Sequence, residues 1–227
     1  SILSGRGSGS VLAFLILILC SVPFRDLGWV GMDSILSLLH TAFIISATYS
    51  CRHKSKLRLI VGFLGSLSIL STWGNSIFEH THESVRLVSA IIFYVIFIYI
   101  ILEDILKKRR ADQNMLSGSL SAYMLFGMTF AFIYALLEIQ IPGSFVIPEG
   151  TAVINEAHKH EALLGTFFYH SFVTLTTLGY GDIQPRSQPA RFFCIIEAII
   201  GQFYLVVIVA GIVGTTASKY FSAEQDS

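Results

Sequence analysis

Long apolar runs recur along the chain, and short polar segments separate them. A helix needs about 20 consecutive, mostly apolar residues to cross a bilayer, and six stretches come near that length. They cover residues 11–24, 29–50, 57–73, 85–106, 116–141 and 192–217. The pattern predicts an all-α membrane protein with six transmembrane helices.

A further half-apolar stretch, residues 162–177, lies between the last two of these spans. It is too short to cross the membrane twice and too apolar for an ordinary loop. Irregular backbone at membrane depth is tolerated only where protein buries it or where it lines a water-filled space. We therefore expect a re-entrant helix followed by a non-helical segment.

The first span has a second interpretation, because Arg6 followed by a compact apolar run is also typical of a secretory signal. No small-residue cleavage site follows the run, and the residues before Cys20 make a poor lipoprotein box. We favour a retained helix.

Composition narrows the class of protein. Hydrophobic residues make up 53% of the chain and charged residues 13%, whereas a soluble domain has about 25% charged residues. The formal net charge is +0, so no basic excess indicates a nucleic acid partner. The three cysteines have no metal-binding or redox spacing. We expect no cofactor.

The basic residues predict the orientation, since short cytoplasmic loops carry an excess of Lys and Arg. Two loops, at 52–58 and 107–110, contain eight of them, and Arg6 and Lys219 raise that side to ten. The other side has five, which are Arg25, Arg86, Lys159, Arg186 and Arg191. We expect a plasma or inner membrane protein with both termini in the cytoplasm.

The re-entrant helix leads into the segment with the most specific pattern, which reads Thr176-Thr177-Leu178-Gly179-Tyr180-Gly181-Asp182. Six fixed residues of this kind would occur by accident with a probability of about 10⁻⁵ or lower. The segment resembles the selectivity filter of the tetrameric potassium channel family. A tight loop between two helices is the alternative, and the flanking spans argue against it.

A physical requirement agrees with the resemblance. A dehydrated K⁺ ion needs oxygen atoms in place of its water, and backbone carbonyls supply them when successive residues point them at one axis. That needs a backbone of alternating handedness, which Gly179 and Gly181 provide because glycine adopts positive φ without a Cβ penalty. The resemblance implies that K⁺ binds at Thr177, Leu178, Gly179 and Tyr180.

The resemblance extends over about residues 116–220 and implies further roles. Thr176 and Asp182 would support the filter, and Tyr169 would donate a hydrogen bond to Asp182. Gly201 falls where many family members have a hinge glycine in the inner helix. One filter segment per chain implies a homotetramer of bacterial-type, six-span subunits.

The chain thus divides into a four-helix membrane domain, 1–110, and a pore domain, 111–227. The first domain resembles a voltage sensor in number and placement of helices. A working sensor has a basic residue at every third position of its fourth helix, and here Arg86 is the only one. We expect passive, largely voltage-independent conduction of K⁺, with membrane lipid as the surroundings.

Several alternatives stay open. Glu197 is the one charge within the sixth span and is either functional or a structural hydrogen-bonding group. Gln202 either faces the cavity or bonds a neighbouring helix. Two histidine clusters, at 79–83 and 156–161, fit a solvated loop better than a metal site. A potassium transporter is the competing class, whereas no catalytic motif indicates an enzyme.

Overall fold

The computed structural model describes residues 5–25, 32–51, 55–74, 83–107, 113–148 and 159–211. These ranges hold seven α-helices: α1 (Gly5–Arg25), α2 (Met32–Ser50), α3 (Ser55–Gly74), α4 (Glu83–Lys107), α5 (Gln113–Gln140), α6 (Lys159–Leu175) and α7 (Gln188–Tyr204). A π-helical segment, Leu205–Val209, continues α7. The chain is mostly helical, as the sequence predicts.

Two short strands depart from an all-helical chain. β1 (Phe145–Val146) follows α5, β2 (Gln184–Pro185) follows the filter segment, and the two pair antiparallel. They tie the linker before α6 to the loop before α7. Sequence reasoning did not predict them, because two-residue strands leave no hydrophobic pattern in the sequence.

Three of the described helices are long and apolar enough to cross a membrane, namely Glu83–Lys107, Met115–Gln140 and Gln188–Val207. They correspond to the fourth, fifth and sixth expected spans. The other apolar helical stretches are shorter, namely Gly9–Val22, Ser34–Ser50, Arg58–Trp73 and Leu163–Leu175. Helices are thus present at the first three expected spans, but six membrane crossings stay a prediction.

The helices pack in an order that follows the chain. α1 contacts α2 and α5, α2 contacts α3, α3 contacts α4, and α4 packs most extensively on α5. In α1, Val11 and Leu15 are buried, and the interpretation of this helix as a retained span stays a prediction.

Aromatic side chains fill the contact between the first helices and α5. Phe43, Phe93 and Tyr94 are fully buried, and the Tyr94 ring lies 5.6 Å from that of Phe43 and 5.4 Å from that of Phe132 on α5. Such pairs add about 0.5–1.5 kcal/mol beyond the area they bury. One hydrophobic cluster therefore runs through both predicted domains. The boundary at residue 110 lies outside the described residues, and the division into two domains stays a prediction.

The start of α7 is encoded locally. Ser187 precedes the helix with an extended backbone, and its side chain accepts a hydrogen bond from the Ala190 N–H at 3.3 Å. Pro189 lies in the first turn, where its missing N–H costs nothing. These residues fix where the inner helix leaves the loop that follows the filter segment.

Candidate functional site

The filter segment (residues 176–182) begins where α6 ends, at Leu175. Its first N–H groups turn back to the helix: those of Leu178 and Gly179 both donate to the carbonyl of Val173, at 2.9 and 3.2 Å. In a trans peptide the N–H and C=O groups point in opposite directions. The carbonyls of Thr177 and Leu178, which share those peptides, therefore point away from α6.

The backbone of the filter segment alternates in handedness. Thr177, Gly179 and Gly181 have positive φ values of 61°, 60° and 75°, and the residues between them do not. This alternation is the arrangement that brings successive carbonyls to one side of the chain. Gly179 and Gly181 adopt it as the sequence predicts.

The positive φ of Thr177 is a feature that sequence reasoning missed. Among the described residues Thr177 is the only non-glycine with a positive φ, and a β-branched residue in that region is a strained outlier. Such strain persists only where the surroundings enforce it, and it concentrates at functional sites. The signal that could have indicated this feature is the two-residue spacing, since Thr177 lies two residues before Gly179.

The carbonyl of Gly181 differs from its neighbours, since it accepts a hydrogen bond from the Gln184 side-chain amide at 2.9 Å. Within the described residues, no hydrogen bond reaches the carbonyls of 177–180. These four carbonyls are therefore available to a ligand, and Gly181 has a structural partner.

The side chains of the filter segment lack cover in a single chain. Leu178 is 56% exposed and Tyr180 is 66% exposed. The described residues of this chain therefore leave both side chains largely uncovered.

Tyr169 and Asp182 form the hydrogen bond that the sequence predicts. The Tyr169 hydroxyl donates to Asp182 Oδ2 at 2.7 Å. This bond is the main reason that the pKa of Asp182 lies below its ordinary value. It joins the middle of α6 to the outer end of the filter segment. Thr176 bonds only locally, from its hydroxyl to the Phe172 carbonyl at 2.6 Å.

The loops around the filter segment form a second layer of support. The carboxylate of Glu138, at the end of α5, accepts the N–H groups of Gly143 and Phe145 at 2.7 and 3.0 Å. The Ser144 carbonyl accepts the N–H of Arg186 at 2.7 Å. Sequence reasoning missed these contacts. The Glu138 contacts are local, and the Ser144–Arg186 bond joins the α5–α6 linker to the loop after the filter segment.

Gly201 lies against the end of α6. A Cβ atom at this position would come within 2.4 Å of the Leu175 carbonyl oxygen. The glycine therefore permits α7 to approach the last residue of α6. Its role as a gating hinge stays a prediction, and α7 remains α-helical here and up to Tyr204. The neighbouring Gln202 is exposed.

Glu197 is fully buried between three helices. Tyr134 on α5 donates to its Oε2 at 2.5 Å, and Ser171 on α6 contacts its Oε1. The Ser171 hydroxyl also lies 2.6 Å from the Gly127 carbonyl oxygen. These contacts support the interpretation of Glu197 as a structural hydrogen-bonding group. Tyr134 and Ser171 lie 63 and 26 residues from Glu197 in the sequence, so the sequence does not reveal these contacts.

Most of the two histidine clusters lies outside the described residues, at 79–82 and 156–158. In the described part of the chain, no group of three or more His, Cys, Asp or Glu residues is placed to hold a metal ion.

Comparisons with known proteins agree with this geometry. Residues 120–218 match the family described as ion channel. The human potassium channel subfamily K member 2 is 33% identical over 85 residues, which are 36% of this chain and 19% of that protein. The two pore potassium channel c of Oryza sativa subsp. japonica is 35% identical over 95 residues, 41% of this chain and 17% of that protein.

The similarity is concentrated in a short region. The human potassium channel subfamily K member 17 is 49% identical over 39 residues, 17% of this chain and 11% of that protein. The chain thus spans less than a fifth of the length of these relatives. No solved structure matches it significantly. The relatives are named as potassium channels, and the chain is similar to them and to the ion channel family in the region of residues 120–218.

Proposed function

We propose that this protein is a subunit of a K⁺-selective channel that conducts K⁺ passively across the membrane. One observation carries the proposal: the alternating backbone at Thr177, Gly179 and Gly181 directly after α6. The available carbonyls of residues 177–180 would replace the water of a K⁺ ion. K⁺ is the permeant ion, and no cofactor is required.

The experiment is a reversal-potential measurement on the purified full chain in liposomes, under opposed K⁺ and Na⁺ gradients. We expect the reversal potential to follow K⁺ and single-channel records to show discrete steps. A Na⁺ permeability comparable to that of K⁺ would contradict the proposal. Smooth coupled flux without steps would favour a transporter.

Two glycine variants make this test specific. Gly179→Ala forces a Cβ into a residue with φ 60°, and Gly143→Ala does the same at φ 81° in the linker after α5. Both changes carry the backbone penalty of a non-glycine residue at positive φ. Only Gly179→Ala should abolish selective conduction. Equal loss in both variants would mean that strain, and not the filter, is responsible.

We further propose a homotetramer of bacterial-type subunits around the filter segment. The support is the single filter segment in the chain and the uncovered side chains of Leu178 and Tyr180, since one segment cannot surround an ion. One relative is named a two pore channel, and that arrangement would close a pore with fewer chains. Mass measurement of the assembly in lipid decides, and an active dimer would contradict the tetramer.

The proposal includes orientation and voltage response. The basic loops support cytoplasmic termini in a plasma or inner membrane, with lipid around the outer helices. Arg86, the one basic residue of the fourth expected span, lies near the outer end of α4 and pairs with Glu83 at 2.8 Å. A single charge near the outer end of a helix crosses little of the membrane field when the helix moves, so conduction is largely voltage-independent.

A further inference from the structure

Glu197 is the fully buried acidic side chain at the centre of the contact between α5, α6 and α7. An unpaired carboxylate is costly in such a place, because burial removes its hydration. The described residues place no Lys or Arg against it. Its contacts are the hydroxyl groups of Tyr134 and Ser171.

The protons available to these groups can be counted. The Ser171 hydroxyl lies between two oxygen atoms, the Gly127 carbonyl at 2.6 Å and Glu197 Oε1. A backbone carbonyl only accepts, and a serine hydroxyl donates one proton. The two hydrogen bonds of Ser171, to Gly127 and to Glu197, need two donated protons. Ser171 supplies one, and an ionised carboxylate supplies none.

A protonated Glu197 satisfies every atom. Its Oε1–H donates to Ser171, Ser171 donates to the Gly127 carbonyl, and Tyr134 donates to Oε2. With an ionised Glu197, one of the two short Ser171 contacts would join two acceptors with no proton between them. Such an arrangement is repulsive in a buried site.

The neighbouring titratable groups offer no replacement for this proton. They are Tyr134 and Tyr123 on α5, His170 on α6 and Cys194 on α7. The His170 ring nitrogen Nε2 lies 3.5 Å from Cys194 Sγ, and the His170 ring packs edge-on against the ring of Phe145, with centroids 5.5 Å apart. No contact between His170 and Glu197 occurs within the described residues. Tyr134 already donates its own proton to Oε2.

We propose that Glu197 is a proton-binding site, occupied at neutral pH, and that the bound proton joins the inner helix α7 to α6 and α5 behind the filter segment. The site takes a proton as its ligand and acts as a positioning group. When the proton leaves at alkaline pH, Ser171 keeps only one of its two partners, and the link through Gly127 or through Glu197 opens. Only the effect on conduction rests on the proposed function.

The first test is infrared difference spectroscopy on the reconstituted full chain at pH 7, wild type minus Glu197→Gln. The glutamine keeps a donor for Ser171 and an acceptor for Tyr134. We expect the difference spectrum to contain the carbonyl band of a protonated carboxylic acid, lost in the variant. Carboxylate bands in its place would overturn the inference.

Glu138→Gln is the matched control, because its carboxylate accepts two backbone N–H groups and requires no proton. Its subtraction should not show the acid carbonyl band that is lost in Glu197→Gln. If Glu197→Gln does not assemble, Ser171→Ala gives the same decision. This variant removes the hydroxyl that accepts the Glu197 proton, so the acid band should move to higher frequency if Glu197 is protonated. If Glu197 is not protonated, no acid band shifts.

The second test measures open probability between pH 7 and pH 10. The wild type should change with pH, and Glu197→Gln should not. An acid band without K⁺ conduction would support the proton site and contradict the proposed channel function. K⁺ conduction without an acid band would support the channel function and contradict the proton site. An identical pH response in wild type and Glu197→Gln would overturn the link between the proton and the pore.

Discussion

Gly201→Ala separates two roles for this glycine, close packing and hinge bending. The structure places a new Cβ 2.4 Å from the Leu175 carbonyl oxygen and 3.2 Å from its carbonyl carbon. An ordinary C···O approach is about 3.3–3.6 Å, so α7 and the end of α6 would have to separate by roughly 1 Å. The obstacle is backbone, which does not rotate away as a side chain would.

The energies oppose each other. Overpacking of this kind costs about 1–3 kcal/mol, whereas alanine in place of a helical glycine gains about 0.5–1 kcal/mol. The packing role therefore predicts a net loss between about 0 and 2.5 kcal/mol, which lowers Tm by up to about 10 °C for a chain of this size. A pure hinge role predicts unchanged or raised stability together with reduced opening.

Thermal unfolding of the lipid-reconstituted protein distinguishes them, with Gly211→Ala as the control. Gly211 is also helical, and a Cβ there meets nothing within 4 Å. The control should gain stability from helix propensity alone. If Gly201→Ala is as stable as Gly211→Ala, the packing argument is refuted.

Three further outcomes are expected. Tyr169→Phe should change the decay of current and leave K⁺ selectivity intact, because it removes the bond to Asp182; unchanged decay would show that the bond has no role. The limiting slope of open probability against voltage should stay well below that of sensors that move three or four charges per subunit, because Arg86 is the only basic residue of the fourth expected span. A slope equivalent to about ten or more charges per tetramer would contradict this. Gly127→Ala should destabilise less than Gly201→Ala in the same unfolding assay, because its Cβ meets the rotatable ring of Phe172 at 2.8 Å; an equal loss would mean that the ring is fixed.

The pore region was the most predictable part of the chain from sequence. The glycines at 179 and 181 and the apolar stretch before them are local signals, and the structure has a helix and positive φ values at those places. The Tyr169–Asp182 bond, which the family resemblance implies, is also present.

What the sequence left out depends on tertiary contacts. The positive φ of Thr177 is imposed by hydrogen bonds to α6 and opposes the preference of threonine. The partners of Glu197 come from α5 and α6, and β1 pairs with a strand almost 40 residues later.

The attachments of α7 indicate where the inner helix is free to bend. Glu197, Gly201 and Tyr204 all hold its first part against neighbouring helices, the last through a hydrogen bond from its hydroxyl to the Ser119 carbonyl at 2.6 Å. The π-helical segment begins at the next residue, Leu205. Single π-turns interrupt the regular hydrogen bonding of a helix and are frequent at functional sites. A bend at Gly201 would have to break contacts on both sides of it, whereas a bend after Tyr204 leaves all three in place. The contacts therefore favour residues 205–209 over Gly201 as the place where the inner helix changes direction.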